Sequence, residues 1–216
     1  MEGKMLYSGK DLRKLIIPLI IEQILAIAVG MADTIMVSAA GEAAVSGVSL
    51  VDTVNILLIN VFSALATGGA VVSGHFLGKK KREDACKSAW QILLFATLLA
   101  FVISVIFITA HDPLLRLMFG KIEDDVMKAS KTYLIITTYS FVALAIYNSC
   151  AALFRAMNES KVTMWVSLLM NVINVVGNAI CIYGLHMGVA GVAIPTTISR
   201  YVAAGVVFFL MFQTKK

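Results

Sequence analysis

Two acidic residues, Glu22 and Asp33, lie inside an apolar stretch of sequence, where carboxylates are rare. The stretch covers residues 15–38 and as a helix would be about 36 Å long, enough to cross a bilayer core of ~30 Å. A charge at the centre of such a helix costs roughly 2.5–3.5 kcal/mol, so an intramembrane acid usually faces a cavity or a partner. Asp33 is therefore a candidate site for a proton or a cation. The alternative is that it lies near the outer end of the helix and reaches water.

Three asparagines, Asn171, Asn174 and Asn178, follow one another at spacings of three and four residues in a second apolar stretch, 162–183. At ~100° per residue they share one face of a helix. Amides in hydrocarbon need hydrogen-bond partners, so this face is expected to point into the protein. It either binds helices together or, because amide oxygens coordinate hard cations, completes a cation site with Asp33.

The last apolar stretch, 189–212, contains Pro195 followed at once by Thr196. Pro195 has no N–H to donate and clashes with the preceding turn, which predicts a kink or a freed carbonyl. That carbonyl and the Thr196 hydroxyl would add oxygen ligands, as in transporters whose helices are broken near the membrane midplane. Arg200, one turn later, is expected to extend along the helix towards the cytoplasmic surface.

Other polar residues within apolar stretches are candidates for lining a substrate cavity. Glu22 shares a face of its helix with Asp33, roughly 16 Å away, which allows a proton relay or a common cavity. Asn55, Asn148 and Asn171 are the remaining candidates, and Asp52 is expected to face inwards as well.

No hydrolase, zinc-protease or nucleotide-binding motif occurs in the sequence, and its three histidines are far apart. The chain is therefore predicted not to be an enzyme and to need no cofactor. No metal site is expected beyond a Na⁺ at Asp33. Without an ATP-binding element, transport would be driven by an ion or concentration gradient.

The composition indicates an integral membrane protein. Hydrophobic residues make up 59% of the 216 residues and charged residues only 14%, against roughly 25% charged in soluble domains. Six apolar stretches predict membrane-spanning helices at about residues 15–38, 48–77, 89–110, 133–154, 162–183 and 189–212. The segment 111–132 is expected to be mainly a solvated loop, although part of it could lie along the membrane interface.

The basic residues indicate the topology. The net charge of +5 does not point to nucleic acid, because Lys and Arg cluster at the ends of apolar stretches. With the N-terminus in the cytoplasm, the inner segments hold most of them, including the run 79–82, and the outer segments hold few. This bias predicts a multi-pass protein of the cell membrane, surrounded by lipid, with both termini cytoplasmic.

Several stretches resemble the N-terminal lobe of multidrug and toxic compound extrusion (MATE) transporters. They are MADTIMVSAAGEAAVSGVSL (31–50), GGAVVSGHFLGKKKREDA (68–85), LFRAMNESKVTMWVSLLMNVINVVGNAICIYG (153–184) and MGVAGVAIPTTISR (187–200). The resemblance implies an all-α fold in which six transmembrane helices form one lobe. It also implies an antiporter that exports cationic or amphipathic drugs and toxic compounds in exchange for H⁺ or Na⁺.

The resemblance also implies an ion site. The family uses an acidic residue on the first helix, which Asp33 matches, polar residues on the fifth, which Asn174 and Asn178 match, and a threonine early in the sixth, which Thr196 matches. Some members carry Asp where this chain has Asn178. A single carboxylate therefore leaves both a weak Na⁺ site and proton coupling open.

The main departure from the family is length, because residues 1–216 correspond to a single lobe where the family has two. A truncated product, a separate chain for the second lobe and a homodimer that rebuilds the cleft are all open. The alternatives to an antiporter are a flippase for lipid-linked sugars of the wider superfamily and a membrane fragment that does not transport. A flippase is expected to have a more basic cleft than one containing Arg200 alone.

Overall fold

The computed structural model describes residues 9–213, in which eight α-helices and one π-helical turn are found and no strand. In chain order the helices are α1 (Gly9–Ser38), α2 (Glu42–Gly78), α3 (Arg82–Thr109), α4 (His111–Phe119), α5 (Asp124–Thr138), α6 (Phe141–Ala156), α7 (Ser160–Ala179) and α8 (Ala190–Gln213), and the π-helical turn Ile180–Gly184 continues α7 directly. Five helices are long and apolar enough to cross a membrane, and α5 and α6 together can form a sixth span. The prediction of an all-α, multi-pass membrane protein is confirmed.

The prediction of one continuous helix over residues 133–154 is wrong, because the chain breaks between α5 and α6 and bends there by 52°. Hydroxyl side chains cluster at the break. Thr138 Oγ1 donates to the Leu134 carbonyl at 2.6 Å, and Ser140 Oγ donates to the Thr137 carbonyl at 2.6 Å. Such side chains compete with the backbone for carbonyl groups and so weaken the helix locally.

The segment expected to be a solvated loop, 111–132, is largely helical. It contains α4 and the first turns of α5, and Leu115 of α4 is 1% exposed in a cluster with Val37 and Leu134. Pro113 lies in the first turn of α4, where its missing N–H costs little. Burial of one apolar side chain therefore holds α4 against the bundle.

Pro18 lies in the interior of α1 rather than in its first turn. With the first helix starting at residue 15, Pro18 would fall in its first turn, but α1 begins at Gly9 and places Pro18 in the helix interior. A proline there removes a backbone hydrogen bond and favours a local bend.

Glycine allows close contact between helices at two positions, one between α7 and α8 and one between α2 and α5. A Cβ on Gly177 of α7 would lie 2.6 Å from Pro195 Cβ of α8, and a Cβ on Gly47 of α2 would lie 2.8 Å from the Ser130 backbone nitrogen of α5. α1 packs mainly against α7, and α7 in turn packs against α8. The three helices that carry the candidate ion ligands are therefore neighbours.

Candidate functional site

The structure joins Asp33, Asn174, Asn178 and Thr196 through one chain of hydrogen bonds. Asn178 Nδ2 donates both to Asp33 Oδ1 at 2.7 Å and to Asn174 Oδ1 at 3.2 Å. Asn174 Nδ2 donates to Thr196 Oγ1 at 2.8 Å, and the Thr196 hydroxyl donates to the Val192 carbonyl one turn back. The residues thus come from α1, α7 and α8, and we call them the Asp33 cluster.

Local structure explains how these side chains meet. Asn174 and Asn178 are four residues apart on α7, so they lie one above the other on the same face. Gly177 and Pro195 let α7 and α8 approach closely beside Asn178 and Thr196. The π-helical turn begins immediately after this region, at Ile180. Such turns occur often at functional sites because they change the direction of the following side chains.

One oxygen of the Asp33 cluster has no hydrogen-bond donor. Asn178 is fully buried, and its Oδ1 has no partner although its Nδ2 has two. Asn174 and Thr196 are also buried, and Asp33 is partly buried. A buried acceptor without a partner is costly, so this oxygen is suited to a proton donor, a water molecule or a cation beside Asp33.

A second group of charged residues adjoins the Asp33 cluster. Arg200 of α8 donates from Nη1 to Ser140 Oγ, at the break between α5 and α6, at 2.9 Å. Asp33 and Asp52 lie in the same region of the bundle, but neither forms a direct ion pair with Arg200. The prediction that Arg200 extends to the cytoplasmic surface is therefore wrong. Ser140 provides an acceptor inside the bundle, which the sequence of α8 alone cannot reveal.

Asp52 of α2 has polar neighbours on α2 and α5. Asn55 Nδ2 donates to its Oδ1 at 3.2 Å, and the Tyr133 hydroxyl of α5 lies near its carboxylate. Sequence reasoning placed Asp52 inside the protein but did not predict that Tyr133 lies near it. The inward direction of Asp52 and Asn55, spaced three residues apart, was the available signal.

Glu22 does not join the Asp33 cluster. Its carboxylate accepts hydrogen bonds from Arg155 Nη2 at 2.9 Å, from the Tyr147 hydroxyl at 3.3 Å and from the Thr163 hydroxyl at 3.4 Å. The Glu22 side chain is 9% exposed and that of Arg155 28%. These contacts connect α1 to α6 and α7. The Glu22 carboxylate, which was a candidate for a shared cavity or a proton relay, is therefore already paired.

The remaining cavity candidates are dispersed. Asn55 is buried beside Asp52, and its Oδ1 has no partner. Asn148, which is partly buried, donates from Nδ2 to the Leu144 carbonyl of its own helix at 2.9 Å. Asn171 is buried one turn before Asn174, and its Nδ2 has no partner. Their role in binding a substrate stays a prediction.

Within residues 9–213, no three His, Cys, Asp or Glu side chains converge in a way that could hold a metal ion. Any cation at Asp33 would therefore be bound by one carboxylate together with amide, hydroxyl and backbone oxygens. Such a ligand set suits a hard monovalent cation and offers no soft ligand for a transition metal.

Comparison with known proteins places this chain in a family. The family model MatE matches residues 18–180. The chain is 31% identical over 204 residues to the uncharacterized transporter YisQ of Bacillus subtilis, and the match covers 92% of this chain and 44% of that protein. It is 26% identical over 211 residues to the probable multidrug resistance protein NorM of Thermotoga maritima, covering 96% of this chain and 45% of that protein.

A solved structure shares the fold. The outward-facing conformation of a multidrug resistance MATE family transporter of the MOP superfamily matches with a TM-score of 0.89 at 24% identity. That match covers 96% of this chain and 46% of the other. The chain thus spans slightly less than half the length of the relatives and of the structure that it matches.

Proposed function

Since the chain belongs to the MatE family of multidrug efflux transporters, we propose that it is one six-helix half of an ion-coupled exporter in which Asp33 is the coupling carboxylate. The compounds exported would be cationic or amphipathic, and the coupling ion would be H⁺ or Na⁺. Asn174, Asn178 and Thr196 would complete the ion site, in agreement with the residues that the family resemblance implies.

The observation that carries this proposal is the unpartnered Asn178 Oδ1 beside Asp33. Asn178 Nδ2 donates to both Asp33 and Asn174, and its Oδ1 is left as a buried acceptor for an additional ligand. A proton on Asp33 or a bound Na⁺ could satisfy it. Either would also neutralise a carboxylate that is costly to keep charged in a membrane-spanning helix.

Competition at Asp33 would couple the ion to the exported compound. A cationic compound near Asp33 stabilises its charged form, whereas a proton or Na⁺ removes the charge that attracts the compound. Binding of one therefore disfavours the other. If the two ligands prefer different helix arrangements, each shifts the conformational equilibrium in its own direction, as an exchange cycle requires.

The membrane spans of this chain correspond to one lobe, and enclosing a cleft between two lobes requires a second. Large apolar side chains cover the outer faces of α1 and α3, among them Ile27, Met31 and Phe101. These faces suit lipid or a second six-helix lobe. We infer that the second lobe comes from a second copy of this chain, related by a pseudo-two-fold axis, from a separate chain, or from further residues of the same polypeptide. The basic inner segments would place both termini in the cytoplasm.

The test is efflux of a cationic dye from cells that express the 216-residue chain, comparing the unmodified chain with Asp33→Asn. Asp125→Asn is the matched control, because Asp125 is exposed in α5 and undergoes the same chemical change. Loss of efflux in Asp33→Asn alone supports coupling through Asp33.

Normal efflux from Asp33→Asn, at equal amounts of protein in the membrane, would refute the role of Asp33. Absence of efflux from every variant, with all of them in the membrane, would show that two identical lobes do not suffice. The comparison would then be repeated with a covalent tandem of the chain and with a co-expressed second lobe.

A further inference from the structure

We propose that an apolar cavity between the ends of α2, α3, α6 and α8 binds an acyl chain of an anionic phospholipid, whose phosphate is held by the basic segment 79–87. The cavity shares no residue with the Asp33 cluster, so this binding site is independent of the ion that couples transport. Its depth, its lining and the charge at its mouth each indicate this ligand.

The depth of the cavity matches one leaflet of a bilayer. Its volume is about 340 Å³, within the ~300–1,000 Å³ that is usual for ligand sites. α3 lines it from its first residue, Arg82, to Leu93. At ~1.5 Å per residue this wall is about 16 Å deep, roughly half of a ~30 Å hydrocarbon core. The cavity therefore extends from the membrane surface to about the midplane, as an acyl chain does.

The lining suits a hydrocarbon chain. Large apolar side chains from three helices form most of it, namely Trp90 and Leu93 of α3, Leu153 of α6, and Phe208 and Met211 of α8. A chain of methylene groups fits among them without burying an unpaired polar group. The cavity is thus adapted to the apolar part of a lipid.

Ser73 supplies a hydroxyl below the mouth of the cavity. It lines the cavity five residues before α2 ends at Gly78. The residue is 2% exposed, and its Oγ has no hydrogen-bond partner among the described residues. A buried hydroxyl without a partner is costly. The ester carbonyls of a phospholipid lie between its phosphate and its chains, so they would offer this hydroxyl an acceptor at the right depth.

The mouth of the cavity is basic. Segment 79–87 joins α2 to α3 and contains five basic and two acidic side chains, a net charge of +3. The basic side chains are all exposed, and Arg82 also lines the cavity. The ion pair of Lys81 with Asp84 is exposed and long, at 4.0 Å. Each basic residue beside a membrane-spanning helix strengthens binding of an anionic headgroup by roughly fivefold.

Charge also separates this ligand from other occupants. A cationic compound of the kind proposed for export would be repelled by the net positive charge at the mouth. A zwitterionic lipid carries no net charge, so it would gain little from the basic segment. An anionic phospholipid is the ligand that matches both the apolar cavity and its mouth.

Lipids with brominated acyl chains test this site, because bromine quenches tryptophan fluorescence only at close range. The chain has two tryptophans, Trp90 in the cavity and Trp165 on α7, and both side chains are exposed. The full chain with Trp165→Phe is reconstituted in phosphatidylcholine vesicles. An increasing fraction of the lipid is then replaced by brominated phosphatidylglycerol or by brominated phosphatidylcholine.

Trp90 is expected to reach half-maximal quenching at a fraction of brominated phosphatidylglycerol about fivefold or more below that of brominated phosphatidylcholine. Trp90→Phe is the reference for bulk lipid, and its remaining Trp165 should be quenched equally by both. Equal quenching of Trp90 by the two lipids would overturn the proposal. Shielding of Trp90 from both lipids would overturn it too, because protein would then cover the cavity. Relief of the quenching by tetraphenylphosphonium would instead assign the cavity to a cationic substrate.

Two pairs of variants, made in the Trp165→Phe background, separate the cavity from the charged surface. Ala89→Phe fills the cavity and should abolish the preference for phosphatidylglycerol. Ala64→Phe, the same change at an exposed position of α2, should keep it. Glutamine at positions 79, 80 and 81 together should weaken the preference, whereas arginine at the same three positions should preserve it.

A preference that persists in Ala89→Phe would show that lipid binds the basic surface alone, and it would overturn the acyl-chain site. If Ala89→Phe does not fold, the titration of Trp90 in the Trp165→Phe protein decides by itself, because both tryptophans are exposed and their replacement leaves the core intact.

Discussion

Replacing Gly177 by alanine is expected to separate α7 from α8 at the Asp33 cluster. The added Cβ would lie 2.6 Å from Pro195 Cβ and 3.1 Å from Pro195 Cγ, whereas carbon atoms in contact are normally about 3.5–4.0 Å apart. Pro195 is a rigid ring within a helix and cannot rotate away. The two helices must therefore move apart by about 1 Å at this point.

That displacement has a direct consequence for hydrogen bonding. Asn174 Nδ2 lies 2.8 Å from Thr196 Oγ1, and an extra ~1 Å takes the pair beyond hydrogen-bond distance. Overpacking costs roughly 1–3 kcal/mol and the lost hydrogen bond about 0.5–1.5 kcal/mol. The better helix propensity of alanine returns up to ~1 kcal/mol. A net loss of about 2 kcal/mol should lower the melting temperature by roughly 5 °C for a chain of this size.

Thermal unfolding in detergent and dye efflux at matched expression are the two measurements. Gly205→Ala in α8 is the control, because a Cβ there meets nothing within 4 Å and should leave the protein as stable or slightly more stable. The expected result is a Gly177→Ala protein that inserts in the membrane but is less stable and loses efflux. If Gly177→Ala and Gly205→Ala behave alike in both assays, the close α7–α8 contact does not support the Asp33 cluster as described.

Three further outcomes are expected. Glu22→Gln or Arg155→Met alone should destabilise the protein by roughly 3–5 kcal/mol, because each leaves its buried partner unpaired. The double variant should lose less stability than the sum of the two single losses. Additive losses in thermal unfolding would contradict a buried pair. Gly47→Ala should lower the melting temperature by several degrees because its Cβ would meet the α5 backbone, and an unchanged melting temperature would contradict this close contact. The hydrogen bond from Lys131 is the main cause that holds the pKa of the exposed Asp112 carboxyl below its ordinary value of 3.8. The stabilisation is therefore present at neutral pH and is lost as the pH falls through the lowered value. Lys131→Gln should raise this pKa towards the ordinary value in an NMR titration, and an unchanged pKa would count against the contact.

The parts of the site that the sequence could predict are those encoded by short spacings in apolar helices. Asp33 was recognisable because a carboxylate is rare in such a stretch. Asn174 and Asn178 were recognisable because four residues bring side chains onto one helix face. The structure places these residues together with Thr196. Their role as ion ligands remains a prediction that the Asp33→Asn experiment addresses.

The parts of the structure that the sequence did not predict depend on contacts between helices that are far apart in the sequence. Arg200 turns inwards to the acceptor Ser140, which lies at the break between α5 and α6. The pairing of Glu22 with Arg155 joins residues 133 positions apart, and no local spacing encodes it. A long side chain on a membrane helix can extend to the surface or turn inwards, and its tertiary neighbours decide which occurs.

The pairing of α1 with the second half of the chain has a consequence for how the protein is made. The partners of Glu22 follow it by 125 to 141 residues, and Asn178 follows Asp33 by 145. At a synthesis rate of about 5–20 residues per second, both carboxylates must wait roughly 6–30 s for their partners to leave the ribosome. During that interval each unpaired acid opposes the transfer of α1 into lipid by roughly 2.5–3.5 kcal/mol. The full set of partners for Glu22 and Asp33 is present only after α7 has been synthesised.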